Sequence, residues 1–296
     1  MSLLGLDVGT TGCKAAIYSE DGKLLSSSYE EYNIQRPNDG WAELDTNEVW
    51  EIIQDCIRKC TSKVTNDPVK ALAVSSLGEA TVSVSNNREI LSPSILNMDI
   101  RGDSFLSFLQ KKCEDEKLYE INGNTLGNHY SLTKLLWTKK NLSELYQKTD
   151  KFLHWSGFVS FMLGAEPAVD YSLANRTLLF DLEKQNWSTE LLDSFDMDSE
   201  KLPAVYPSGT FIGTVHPKVA ANLGLDSQTK IFTGAHDQCA NSVGCGVIHE
   251  GQAMFGMGTF FCATPIFVER RNSRQMMNMG LNTEHHAIPG HYASFI

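Results

Sequence analysis

Four residues, Gly9-Thr10-Thr11-Gly12, separate two short apolar runs at the start of this 296-residue chain, Ser2–Val8 and residues 13–19. Glycines placed where a connection needs unusual dihedrals signal a hairpin, so the two runs are expected to pair as antiparallel strands. Glu20-Asp21-Gly22-Lys23 makes a second turn into a third run at 24–32. Asp45, with Glu48 three residues on, has capping-box spacing, and Val49, Ile52, Ile53, Cys56, Ile57 and Cys60 follow at helical intervals. Strand-like runs at 69–75 and near 81–84 come after that helix. A crossover helix between strands requires a partly parallel sheet, which makes the chain α/β, a mixed sheet flanked by helices.

The middle of the chain adds helix at 100–165 and polar loop and helix at 181–192. Pro203, Pro207 and Pro217 punctuate the stretch after it. A strand is expected at 230–233, followed by Gly234-Ala235-His236-Asp237-Gln238 and a small-residue helix at 239–246. Residues 252–264 then read as strand, turn and strand around Gly256-Met257-Gly258-Thr259. This second glycine hairpin echoes the first. We therefore divide the chain into a domain over 1–246 and the start of a related one over 247–296.

With 42% hydrophobic residues the chain can bury a large core, and its net charge of -11 argues against a general nucleic-acid or anionic-membrane binder. No run approaches 18 apolar residues, and the first residues lack a basic region followed by an apolar one, so a cytoplasmic protein is expected. The seven cysteines are odd in number with no CxxC pair, which reads as reduced thiols and no cysteine metal site.

Three segments carry chemistry. In Leu6-Asp7-Val8-Gly9-Thr10-Thr11-Gly12-Cys13-Lys14, a glycine-rich hairpin can present N–H groups and hydroxyls to a phosphate chain. Asp7 can hold a hydrated Mg²⁺ there, and Lys14 can neutralise a phosphate. A plain β-turn uses the same residue types. In Gly234-Ala235-His236-Asp237-Gln238, an acidic residue between strand and helix is placed to accept a proton from a hydroxyl, although an N-cap uses Asp equally well. Ser75-Ser76-Leu77-Gly78-Glu79-Ala80, with Asn97-Met98-Asp99-Ile100-Arg101, puts polar residues after an apolar strand, where α/β folds bind ligands. A solvated loop, and a cap for Asp99, are the plainer readings. His285, His286 and His291 read as a partly exposed terminal segment, His154 and Trp155 as core, and residues 114–117 as a solvated charged turn.

Taken together and in order, Asp7 to Lys14, Gly40-Trp41-Ala42-Glu43-Leu44-Asp45 and Gly234 to Gln238 resemble the FGGY family of carbohydrate kinases. Asp170-Tyr171-Ser172-Leu173-Ala174-Asn175-Arg176-Thr177 is similar to its xylulokinase-type members. The resemblance covers essentially the whole chain. It implies an actin-like, ribonuclease-H-like domain pair that binds a sugar or polyol and ATP between its halves. On that basis Asp237 is the expected general base, and Asp7 the Mg²⁺ residue. Gly9, Thr10, Thr11, Lys14, Gly258 and Thr259 are expected around the phosphates, with Glu79, Asp99, His129 and Gln238 lining the sugar site. Gly78 departs from the arginine or histidine that members often carry at this point, and His129 stands where glycerol kinases have a tyrosine, so neither glycerol nor xylulose is assigned. The resemblance also implies a chain cut short in the early strands of its second domain. Little kinase activity is then expected from these residues alone, and an uncovered hydrophobic surface is expected to favour homodimers. The rival readings are a non-catalytic sugar-binding module of the same fold and another actin-like ATPase.

Overall fold

The first hairpin forms as its glycines dictate. β1 (Ser2–Val8) pairs antiparallel with β2 (Gly12–Ser19), and β3 (Leu24–Glu31) adds on the far side of β2. The computed structural model describes residues 1–257 and 261–296. α1 (Thr46–Thr61) begins at Asp45, whose carboxylate accepts from the Asn47 and Glu48 amides at 3.0 and 3.1 Å. Those two N–H groups have no partner inside the helix, so the cap satisfies them. The stripe Val49, Ile53, Cys56, Ile57 and Cys60 is fully buried. α1 then returns the chain to β4 (Val69–Ser76), parallel to β1.

The remaining elements of this layer are α2 (Trp155–Leu163), α3 (Tyr171–Asn175), β5 (Phe211–Thr214), α4 (Pro217–Leu223), β6 (Lys230–His236) and α5 (Asp237–Gly244). The sheet runs β5-β6-β4-β1-β2-β3, with β6 parallel to β4. Because side chains alternate along a strand, each face collects its own set. Leu4, Leu6, Val8, Ala15 and Ile17 point into the core with Ile53, Ile57, Phe158 and Leu223. Leu3, Asp7, Lys14, Tyr18 and Tyr29 stay exposed. Their cross-strand pairing, Leu3 with Tyr18, Asp7 with Lys14 and Lys14 with Tyr29, puts them on the opposite face.

β6 runs three residues past the expected strand, and the helix after it starts at Asp237 rather than at 239. Between Phe232 and Ala235 the register with β4 slips. A Cβ at Gly234 would stand 1.7 Å from the Val74 carbonyl oxygen, so only glycine lets β6 come this close before delivering His236 and Asp237. The run at 81–84 leaves the main sheet. It pairs with Lys151–His154 and Ser94–Ile95 in a second, four-stranded sheet completed by Glu43–Leu44. Residues 114–117 are not a turn but the entry to the helix Asp115–Asn122.

After α5, β7 (Ala253–Met257) and β8 (Phe261–Phe267) pair antiparallel as the second hairpin. Gly258 and Thr259, expected at its tip, lie outside the described residues. β9 (Glu284–His285) and β10 (Tyr292–Ala293) extend this sheet in the order β7-β8-β10-β9. Here the expectation of an exposed terminal segment fails for two of three histidines. His285 and His286 are both buried, while His291 is half-buried. The cause is packing: the His285 ring sits 5.2 Å from that of Tyr171 and its Nε2 lies 3.0 Å from the Leu182 carbonyl oxygen, while His286 Nε2 lies 3.2 Å from Ser242 Oγ.

Candidate active site

Asp7, Lys14, Tyr18, Ser75, Asp237 and Gln238 line a cleft of about 550 Å³ on the sheet face away from the core. The first four arrive by strand geometry: Asp7 faces Lys14 across β1 and β2, and Ser75 beside it on β4, while Asp237 and Gln238 open the helix after β6. Ser75 Oγ donates to Asp7 Oδ1 at 2.7 Å. The adjacent turn is fixed from within. The Gly9 amide donates to the Gly12 carbonyl at 2.9 Å, and the buried Tyr32 hydroxyl donates to the carbonyls of Gly9 and Gly12 at 2.6 and 3.0 Å. Thr11 is exposed at the tip and Thr10 half-buried. Sequence reasoning missed Tyr32, because a tyrosine ending a strand carries no motif.

Asp237 is the first residue of α5, and the capping position belongs to His236, so the plain N-cap reading of Asp237 fails. Its carboxyl is pushed up to about 7, first by burial and then by the negative charge of Asp7. His236 Nε2 lies 3.2 Å from Asp237 Oδ1. Burial, with the nearby Arg176 charge, pushes that imidazole down to about 3, so the ring meets Asp237 in its neutral form.

Behind this pair, Arg176 reaches Glu79 through two nitrogens. Nε donates to Oε1 at 2.8 Å, and a terminal nitrogen bonds the same oxygen. The other terminal nitrogen donates to Glu284 Oε1 at 2.5 Å. Burial is the largest single influence and acts to raise the Glu79 carboxyl, but the charge and hydrogen bonds of Arg176, with His236 and His129, together outweigh it and hold the group below the ordinary carboxylate range. A Cβ at Gly78 would lie 3.0 Å from His236 Nε2 and 3.4 Å from Arg176 Nε. The space beside Glu79 is thus already filled by two side chains from distant elements, which is why glycine stands there.

The other expected sugar contacts divide. Gln238 lines the cleft next to Asp237. His129 is exposed, its ring 3.9 Å from that of Tyr130, which in turn lies 5.0 Å from the Arg176 guanidinium carbon. Asp99 departs from expectation: it is wholly buried, and both its oxygens are committed within the fold. Oδ1 accepts from the Arg101 amide and Nε at 2.8 and 2.9 Å, and Oδ2 from the Ala42 amide and an Arg101 terminal nitrogen, both at 2.7 Å. Arg101 also meets Glu43 at 2.6 Å and lies 3.9 Å over the Trp41 ring. Two segments singled out in the sequence, around Trp41 and Asp99, therefore clamp one another, and Asp99 serves that clamp.

The arrangement sets a carboxyl raised to about 7 in one cleft with Asp7 and Lys14, and a buried carboxylate held ionised behind them. Residues 2–244 match the family model described as the FGGY family of carbohydrate kinases, N-terminal domain. The chain belongs to the FGGY family of carbohydrate kinases. Among relatives of this FGGY protein, the xylulose kinase of Escherichia coli is 26% identical over 273 residues, which are 91% of this chain and 56% of that protein. The xylulose kinase of Lactococcus lactis is 29% identical over 266 residues, 87% of this chain and 52% of that protein. The chain thus spans about half the length of the curated relatives it matches. The solved structure of ligand-bound xylulose kinase from Lactobacillus acidophilus superposes with a TM-score of 0.90 at 24% identity, covering 99% of this chain and 59% of the other. The FGGY chain therefore has the actin-like ATPase fold, with its mixed sheet flanked by helices. No helix among the described residues is long and apolar enough to cross a membrane.

Proposed function

We propose that this chain is the sugar-binding, base-bearing half of an ATP-dependent kinase acting on a sugar or polyol hydroxyl. The observation that carries the reading is Asp237, a carboxyl raised to about 7 in a cleft that it shares with Asp7 and Lys14. A base poised near the working pH transfers protons most effectively. Asp237 takes the hydroxyl proton as the substrate oxygen bonds to the γ-phosphorus, and the bond from that phosphorus to the β–γ bridging oxygen breaks to release ADP. Glu79, His129 and Gln238 bind the remaining hydroxyls, and Lys14 with the turn at residues 9–12 faces the phosphates. ATP with Mg²⁺ supplies the phosphoryl group and neutralises its charge when bound. Asp7 fits the metal: it is exposed in the cleft that it shares with Asp237, and the mutual repulsion of the two carboxylates is relieved by a cation. Among the described residues no cluster of three or more His, Cys, Asp or Glu could hold a metal. Mg²⁺ keeps waters and phosphate oxygens as ligands, so a single carboxylate can serve it.

The first domain of this reading spans 1–246, with residues 247–296 opening a second, nucleotide-binding one. Catalysis needs that second half to close over the cleft and exclude water. The 296 residues alone are accordingly proposed to turn over little or no sugar, in the cytoplasm or in a test tube. A thermal-shift screen against pentuloses, hexuloses, aldonates and polyols tests the site, because a ligand at 100 times its Kd stabilises the folded state by about 2.7 kcal/mol. A hit that vanishes in Asp237→Ala supports the reading. A hit unaffected by that change places the sugar elsewhere and defeats it.

A further inference from the structure

We infer that Arg176 is a positioning residue for sugar binding, which fixes one oxygen of Glu79 and leaves the other as an open acceptor for a substrate hydroxyl. This rests on the carbohydrate-kinase reading and deepens it. Two Arg176 nitrogens converge on Glu79 Oε1. Oε2 has no hydrogen-bond partner among the described residues, yet it is not one of the sealed, unpartnered oxygens, as Glu284 Oε2 is. About 6% of the Glu79 side chain remains accessible. A carboxylate whose charge is kept but whose second oxygen is unspent can only accept, so it selects a ligand that donates, as a hydroxyl does.

The guanidinium is itself held in place. It sits at the end of α3, its third nitrogen on Glu284 Oε1, its plane beside Tyr130 and Phe295. Glu284 Oε1 also accepts from the Asn282 side chain at 2.6 Å. The Glu79 backbone is anchored too, since Ser131 Oγ donates to its carbonyl at 2.6 Å. A fork bound at both ends cannot swing, which is what aiming a partner carboxylate requires. Around Glu79 the facing charges are Arg176, His236, His129 and, further out, His154, Lys134, Asp237 and Glu284. His236 and His154 are pushed down to about 3 and about 4, so Arg176, bonded to Glu79, is the principal cation there across neutral pH, with Lys134, pushed down to about 8, further out.

The test reads Glu79 directly by carboxyl ¹³C NMR in the wild type, Arg176→Gln and Arg176→Lys, with calorimetric titrations of D-xylulose, glycerol and D-gluconate from pH 5 to 8. In the wild type, Glu79 titrates below the ordinary glutamate range. Arg176→Gln moves that midpoint upward and weakens sugar at least tenfold at pH 5.5, with partial recovery at pH 8. Asp237 titrates in the same window, and the resolved Glu79 signal separates the two. Arg176→Lys keeps Glu79 ionised but loses the fork, so affinity falls three- to tenfold at every pH. A folded Arg176→Gln with the wild-type Glu79 midpoint and sugar affinity overturns the proposal. Should that variant not fold, Arg176→Lys with wild-type affinity overturns it equally. If the wild type binds none of the three sugars, the sugar reading fails instead, and the Glu79 midpoints alone then decide whether Arg176 sets its charge.

Discussion

Asp237 is squeezed from two sides, by burial that disfavours its charge and by Asp7 across the cleft, and both influences raise its affinity for a proton. The sign of the consequence follows. A base works only when deprotonated, so kcat/KM of the full-length gene product should climb from pH 6 to pH 8 and level off above about 7. Asp237→Asn should lower kcat by about 10²- to 10⁴-fold, the range typical of a general base, and abolish that climb. The same shift bears on stability in the opposite sense. Because the folded state holds this proton more tightly than the unfolded one, stability is lost as pH rises from the ordinary aspartate value towards about 7. In metal-free buffer at pH 8, Asp237→Asn should therefore melt higher than the wild type, by roughly 1 kcal/mol once solvent screening is allowed for, and the gap should narrow towards pH 5 and close below the ordinary aspartate value, about 4. Wild-type melting that is flat across this range would argue that Asp237 is not perturbed.

At the scale of elements, β6 decides where that carboxylate points, and Gly234 decides the path of β6. The Val74 carbonyl oxygen occupies the place a Cβ would take, at 1.7 Å. Gly234→Ala must therefore push β6 off β4 or break their pairing, at a cost of about 3 kcal/mol or more, among the large values that single changes reach. Urea melts would show it, and a Gly234→Ala protein as stable as the wild type would mean that β6 does not pass β4 this closely. Elements of this kind divide cleanly by how much of them is local. The opening hairpin, α1 with its Asp45 cap and the parallel strand β4 were legible, because turn glycines, a capping pair and helical spacing all act within a few residues. Asp7 and Asp237 stand out in the sequence too, each inside a short motif, and both line the cleft. Glu79 with Arg176 was not, since the partners are 97 residues apart, and neither was Glu284, 108 residues beyond Arg176. For Asp99 the cap reading holds, its carboxylate accepting from the Arg101 amide; what stayed out of sight is the bond from the Ala42 amide, 57 residues away, which commits its second oxygen within the fold. His285 and His286 read as exposed because a histidine-rich stretch near a terminus is polar on average; only the docking of β9 against α3 shows them buried.

For the whole molecule, the division of the sheet into two faces is the governing fact. The face towards α1, α2 and α4 is a closed core, whereas the other carries the cleft and, around it, large apolar side chains in the open. Leu3 and Tyr18 are 40% and 39% exposed and directly paired, Tyr29 is 55% exposed next to Lys14, and Phe211 is 53% exposed against Phe232 on β6. Large apolar side chains exposed on one face favour association in water. The β3 edge of the sheet is less inviting: it ends in Glu30 and Glu31, and charge on an edge strand discourages strand-to-strand pairing. Association should therefore run through the exposed face rather than across the β3 edge. Light scattering of the 296-residue chain at about 100 µM should report a dimer, and salt should strengthen rather than dissolve it, since burial of apolar area drives it. Tyr29→Glu together with Phe211→Lys should return it to a monomer without lowering its melting temperature, because both side chains are already half in solvent. A monodisperse monomer at that concentration would show that the polar residues of the cleft keep this face in water unaided, and the uncovered sheet would then need no partner at all.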